Sequence, residues 1–168
     1  MKTTINALRT EVATKVKANE KLGRTIFQNT TINKIEETSG VVKVMNETVP
    51  VEDLIVQYKA GAMEIASLKA KIAQLNNTIT LSDGKTIQEA LVTLTYLRST
   101  RATLERLASV QKRTTRRNDG GMNSTAYYEI VEPNFDVEAI QKDIEEHTAE
   151  IDRLELEISN LNTQPVEI

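Results

Sequence analysis

From Leu54 to Ile79 the seam residues advance in alternating steps of four and three: Leu54, Tyr58, Gly61, Ile65, Leu68, Ile72, Leu75, Ile79. A mean spacing of 3.5 keeps one stripe of a helix turned toward a partner helix along its whole length. No other feature constrains the fold as much. A strand changes face every second residue and could not carry such a stripe, so this segment is a helix with a neighbour. Pro50-Val51 opens it, and Glu52 and Asp53 lie in the first turn, where the helix dipole favours acids. Gly61 stands within the stripe. It either lets a partner backbone approach closely or weakens the helix.

Three further helices are expected. The first starts near Thr4 and aligns Ile5, Leu8, Val12, Val16 and Leu22, with Gly23 offered as its C-terminal stop. The third carries Ile87, Leu91, Leu94, Leu97, Leu104, Leu107 and Val110 and fades near Arg113. The fourth repeats the seam as Val137, Ile140, Ile144, His147, Ile151, Leu154, Ile158 and Leu161, ending before Pro165. Asp136 can cap it, and Phe135 and Ile140 are spaced as a hydrophobic staple.

The joints between helices read differently. Asp83-Gly84 supplies a turn with a positive-φ residue, and Thr86 with Glu89 makes a capping box for the third helix. Residues 24–49 contain Ile32, Ile35, Val41, Val42, Val44 and Val49 around Thr38-Ser39-Gly40, which suits either a small β-hairpin or an irregular loop. Asn118-Asp119-Gly120-Gly121 is a turn signal. Tyr127 to Val131 reads as a short extended segment that could join the 24–49 hairpin in a small mixed sheet. The fold expected is mainly α: an elongated antiparallel helical bundle or coiled-coil hairpin of about four helices. It forms a single domain over 1–168, with a β-hairpin insertion over 24–49 and a loop with a short extended segment over 114–135.

Composition narrows the function. With Phe 2, Trp 0 and Tyr 4 the core must be aliphatic, which suits interlocking helices. Cysteine is absent, which removes disulfides, thiolate metal sites and cysteine nucleophiles. The net charge of −3 gives no whole-molecule attraction to nucleic acid or anionic lipid. No apolar run approaches the ~18 residues that span a bilayer, and the N-terminus lacks the apolar core of a signal peptide. A soluble, cytoplasmic protein is the default. The Asn-x-Ser/Thr triplets at Asn29, Asn46, Asn76 and Asn123 are therefore read as chance.

Few residues suggest chemistry. His147 is the one histidine and falls on a seam position, where it either fixes register or acts as a proton switch or metal ligand. A di-iron bundle motif needs Glu three residues before it, and Ile144 stands there. Arg98, Arg101, Arg106, Lys112, Arg113, Arg116 and Arg117 form a basic run, with Tyr127 and Tyr128 downstream as potential stacking platforms for bases. The fourth helix is strongly acidic, so the simpler account is that the third and fourth helices complement each other. Arg101, at a seam position, is a candidate specificity contact to a fourth-helix carboxylate. Lys15 and Asn19 also occupy seam positions, where they snorkel or set register. Gly84-Lys85-Thr86 is no phosphate loop, because the upstream glycine of that motif would fall at Ile79 and no strand precedes it.

Asn77 to Leu97, with Leu81-Ser82-Asp83-Gly84-Lys85-Thr86-Ile87-Gln88-Glu89-Ala90-Leu91 at its centre, resembles a septicolysin-like family of small helical bacterial proteins. Tyr128-Glu129-Ile130 and Phe135-Asp136-Val137-Glu138-Ala139-Ile140-Gln141-Lys142 are similar to that family's second block. Two departures are visible: Leu94-Thr95 stands where the family usually has Arg-Asp, and its closing Asn-Trp is missing. The resemblance implies a long helical hairpin and homo-oligomers, with no established activity. The family label adds a pore-forming alternative.

The reading that follows is a non-enzymatic structural or interaction protein that self-assembles through its seams, within a larger or phage-derived assembly. It needs no catalytic residue, cofactor or metal. The alternatives are a membrane-active, septicolysin-like protein and a metal-dependent enzyme using His147. Nucleic acid and membrane are disfavoured as partners, and no small-molecule substrate is indicated.

Overall fold

The structure, a computed structural model, describes residues 2–45, 49–118 and 126–167. Among them are four helices, α1 (Ile5–Gln28), α2 (Val51–Thr78), α3 (Ile87–Ala108) and α4 (Val137–Thr163). Short strands β1 (Lys2–Thr3), β2 (Lys34–Glu36), β3 (Val42–Val44), β4 (Arg113–Asn118), β5 (Ala126–Val131) and β6 (Val166–Glu167) pair two by two. The protein is thus mainly α with small antiparallel hairpins. It divides into two compact units: Met1–Ile79 with Leu161–Ile168, and Thr80–Asn160.

The first unit is a helical hairpin with a β-hairpin at its bend. Thr4 caps α1, its hydroxyl accepting the Ala7 N–H at 3.0 Å. The helix passes through Gly23 without interruption to Gln28. The expected stop at Gly23 is therefore wrong, and Tyr58 gives the reason. A Cβ on Gly23 would lie 3.3 Å from the Tyr58 ring edge, so the glycine admits an aromatic ring from α2. Asn29 ends the helix and ties the bend together. Its amide donates to the Thr25 carbonyl at 2.8 Å, and its Oδ1 accepts the Val49 N–H at 3.2 Å.

Between the helices, β2 and β3 pair in the register Lys34↔Val44, Ile35↔Lys43 and Glu36↔Val42. Gly40, at φ +79, makes the turn. Of the two expectations for 24–49 the hairpin holds, although Arg24–Gln28 belong to α1.

α1 and α2 run antiparallel in a clear register. Gly23 faces Tyr58, Asn19 faces Gly61, and Lys15 pairs with Glu64 at 2.8 Å, so each turn down one helix matches a turn up the other. A Cβ on Gly61 would meet Asn19 Oδ1 at 2.7 Å; the glycine is where the neighbouring helix comes close. Of the described apolar residues of this unit, Ile5 and Leu8 are buried, Ile5 completely. The α2 seam from Leu54 to Leu75 is only half covered, although its heptad spacing is unbroken. At the far end, β1 and β6 pair Lys2 with Glu167 and Thr3 with Val166.

The second unit begins with a tight reversal. Gly84, at φ +84, donates to the Leu81 carbonyl at 3.0 Å, and Leu81 donates to Lys85 at 2.8 Å. Thr86 and Glu89 then form the capping box: the Thr86 N–H donates to Glu89 Oε2 at 2.7 Å, and the Glu89 N–H to Thr86 Oγ1 at 3.2 Å. Leu81, Ile87, Ala90, Leu94, Ile151, Leu154 and Ile158 are buried, drawn from the reversal, the first turns of α3 and the second half of α4. Asp136 Oδ1 caps α4, accepting the Glu138 and Ala139 N–H groups at 2.9 and 3.2 Å.

Two expectations for this unit fail. α3 ends at Ala108, and Arg113–Asn118 form a strand where helix end, turn and loop were expected. β5 pairs with β4, from Arg113↔Val131 to Asn118↔Ala126, so no mixed sheet with β2 and β3 forms. Asp119-Gly120-Gly121 of the expected turn, Asn46 and Asn123 lie outside the described residues.

Candidate interaction surfaces

Each helix pair is joined by a β-hairpin, and the two hairpins differ in chemistry. Every residue of β2 and β3 is exposed on both faces. The strands and their flanks offer Ile32, Ile35, Val41, Val42, Val44 and Met45 to solvent, and Phe27, at the end of α1, is 79% exposed. Lys43 and Glu37 form an ion pair at this end of the unit. An isolated two-stranded hairpin is marginal in water, and every residue of these two strands is exposed.

The β4–β5 ribbon is basic and aromatic. Its register places Arg113, Thr115, Arg117, Tyr127, Glu129 and Val131 on one face, and Thr114, Arg116, Tyr128 and Ile130 on the other. Arg117 donates to Glu129 at 2.9 Å, and Lys112 pairs with Glu132 at 2.8 Å. The Glu132 carboxyl is held below its ordinary range by the Lys112 hydrogen bond. Among the described residues, no carboxylate pairs with Arg113 or Arg116.

The predicted basic residues thus separate. Arg98 alone reaches across to α4, pairing with Glu155. Arg101 does not make the expected fourth-helix contact. Its Nε sits 3.3 Å from Glu105 on its own helix, close enough for an ion pair yet not aligned as a hydrogen bond. Arg113, Arg116 and Arg117 sit on the ribbon, off the α3 face that was expected to complement α4.

His147 is half-buried, and its Nδ1 lies 2.7 Å from the Asp143 carbonyl. A carbonyl only accepts, so Nδ1 carries a proton. Among the described residues no group of three or more His, Cys, Asp or Glu side chains gathers where it could hold a metal.

One charged knot escaped the sequence reading. Arg153 donates to Glu150 at 2.8 Å, to Glu157 at 3.1 Å and to Asp83 at 3.3 Å. The Ser82 N–H donates to Glu157 as well. These bonds fasten the Asp83-Gly84 reversal to α4. Hydrogen bonding to Glu150 is the main cause of a raised Arg153 pKa. Asp83 is pulled below the ordinary aspartate value, first by the Lys85 N–H, and Glu150 below the glutamate value, first by Arg153. The i,i+3 and i,i+4 spacing of Glu150, Arg153 and Glu157 was the available signal; the Asp83 link was not.

In the first unit a shallow groove of about 360 Å³ follows the α1–α2 seam past Lys15, Asn19, Gly61 and Glu64. The Lys15–Glu64 hydrogen bond raises the Lys15 pKa and lowers that of Glu64. Among the described residues, no helix is long and apolar enough to cross a membrane.

A model of a family of unknown function, DUF6847, matches residues 29–165, so the chain belongs to that family. The fold is similar to the crystal structure of a functionally unknown conserved protein from Corynebacterium diphtheriae, with a TM-score of 0.65 and 16% identity. That likeness covers 99% of this chain and 100% of the other. No curated protein matches.

Proposed function

We propose that this member of the DUF6847 family is a non-enzymatic, self-associating helical protein, a building or adaptor part of a larger assembly. The observation that carries the reading is the uncovered apolar surface of the first unit. Phe27, Ile35, Val42, Val44 and Met45 stand in water at and beside the β2–β3 hairpin. The α2 seam behind them is half covered, with Val56 and Met63 exposed on its flanks. The register sets Val42 and Val44 on one face of the hairpin and Ile35 on the other, so apolar side chains stand in water on both faces, as at an interaction site. A second copy is the simplest occupant, because a heptad seam that one partner helix leaves half covered can take another. The resemblance to septicolysin-like proteins supports the same architecture and oligomerisation, and it adds nothing from which a pore would be built.

Size-exclusion chromatography with light scattering tests the reading. The full chain at tens of micromolar should run as a discrete oligomer, and Val44→Glu should shift it toward monomer while leaving the helical circular dichroism unchanged. A wild-type chain that stays monomeric at that concentration overturns the proposal.

A further inference from the structure

We propose that the β4–β5 ribbon is a binding site for single-stranded nucleic acid, separate from the self-association surface of the first unit. The argument starts from where the arginines went. As a continuation of α3 they would have faced the acidic α4 and been neutralised there. On the ribbon, the segments 112–118 and 126–132 hold the cations Lys112, Arg113, Arg116 and Arg117 against the carboxylates Glu129 and Glu132. Lys112 and Arg117 engage those two carboxylates. Arg113 and Arg116 are left as cations without an ion-pair partner among the described residues, one on each face.

The second observation is aromatic. Tyr127 and Tyr128 are two of only four tyrosines in the chain, and both stand on this ribbon. They are 49% and 65% exposed, so both rings present area to solvent. The register sets Tyr128 directly across from Arg116 and Tyr127 across from Arg117. On one face Tyr128 stands beside the unpaired Arg116; on the other Tyr127 stands beside Arg117, which Glu129 engages, with Arg113 farther along the same face. Thr114 and Thr115 add a neutral donor to each face. That pairing fits a ligand with a phosphate backbone and unstacked bases: the ring takes a base face and the guanidinium a phosphate. A simple anion would use the arginines and leave the tyrosines without a role. An acidic helix from a second copy would do the same.

The net charge of −3 does not oppose a site of this size. At physiological salt the field of distant carboxylates is screened beyond about 8 Å, so the local surplus governs. It does argue for a single strand over a duplex, since a duplex binder needs a wider cationic footprint to neutralise many phosphates. Ribose and deoxyribose strands share the chemistry recognised here, and the test separates them.

Fluorescence anisotropy on the full chain, with 5′-labelled twelve-nucleotide oligo-dT, oligo-U and a mixed-sequence duplex as probes, decides the matter. One or both single strands should bind at 50 mM salt, more tightly than the duplex. The double substitution Arg113→Ala/Arg116→Ala should weaken binding at least about ten-fold. It should also flatten the slope of log K against log salt by about 1.4, two single-strand phosphate contacts at ~0.7 each. Tyr128→Ala should weaken binding by roughly 5- to 150-fold, the equivalent of stacking one base at ~1–3 kcal/mol, and Tyr128→Phe should restore it. Val44→Glu, on the other hairpin, should leave binding intact even if it changes the oligomer, so the two proposals fail separately. Absence of single-strand binding, or binding that survives both the arginine pair and Tyr128→Ala, overturns the site. So does a result in which the arginine pair alters only the light-scattering mass, which would make a second copy the ribbon's partner.

Discussion

Gly61 sets how closely α1 and α2 approach. A glycine inside a helix costs about 1 kcal/mol against alanine, so its place in the longest seam needs a compensating contact. Asn19 supplies it, with Oδ1 2.7 Å from where a Cβ would be. Gly61→Ala gains propensity but must push aside the end of a flexible carboxamide. The two effects oppose, and the melting temperature should stay within a few degrees of wild type. Combining Gly61→Ala with Asn19→Ala removes the obstacle and should stabilise by about 1 kcal/mol. Gly61→Leu leaves α1 no room and should cost about 1–3 kcal/mol. Thermal melts by circular dichroism check all three. A Gly61→Leu variant that melts like wild type would contradict the close approach. Gly23 shows why such residues are hard to read. A glycine that ends a helix and a glycine that seats a ring look alike in sequence. Only the position of Tyr58, thirty-five residues on, distinguishes them.

At the scale of elements, the start of α3 carries an acid-sensitive device. Glu89 is held below its ordinary 4.5, first by the Thr86 backbone N–H and then by the Thr86 hydroxyl. A carboxyl whose folded pKa is depressed contributes stability in full above its unfolded value and loses it as pH falls through the folded value. Asp83 and Glu150 shift the same way within the neighbouring knot. Melts from pH 6 down to pH 3 should therefore fall more steeply for wild type than for Glu89→Gln, whose side chain cannot titrate. Parallel curves would show that the box has no part in the acid response. The elements also differ in legibility, for a physical reason. α2 and α4 follow from spacing alone, because a stripe facing a partner helix must repeat every 3.5 residues. The cap at Thr86 and the reversal at Gly84 are equally local. β4 was not legible: Arg113-Thr114-Thr115-Arg116-Arg117-Asn118 is solvated on nearly every side, so burial imposes no alternation on it. It is a strand because β5 offers it a ladder, and pairing with a segment farther along the chain leaves no mark in a polar strand. The consequence reaches the candidate site. The basic run from Arg98 to Arg117 divides between a helix and a ribbon.

At the scale of the whole molecule, burial is uneven. Leu154 in the second unit is completely buried, while α2 in the first has no fully buried apolar residue. Sequence strength and burial are thus inverted, since α2 has a seam at least as regular as that of α4. If copies of the chain supply the missing cover, folding and association are linked by mass action, and the melting temperature must depend on concentration. For a dimer, a ten-fold rise in concentration is equivalent to about 1.4 kcal/mol, and a chain of this length gains about 2–4 °C per kcal/mol. Scanning calorimetry at 5 and 50 µM should accordingly differ by roughly 3–6 °C for wild type. Val44→Glu puts a charge into the apolar tip without touching a buried residue of the monomer, as Val44 is 60% exposed. It should melt lower than wild type at 50 µM and show little dependence on concentration. The direction of that difference is diagnostic. A substitution that damaged only the isolated hairpin would lower both wild-type-like traces equally and keep the concentration dependence. Loss of the dependence itself can come only from loss of the partner.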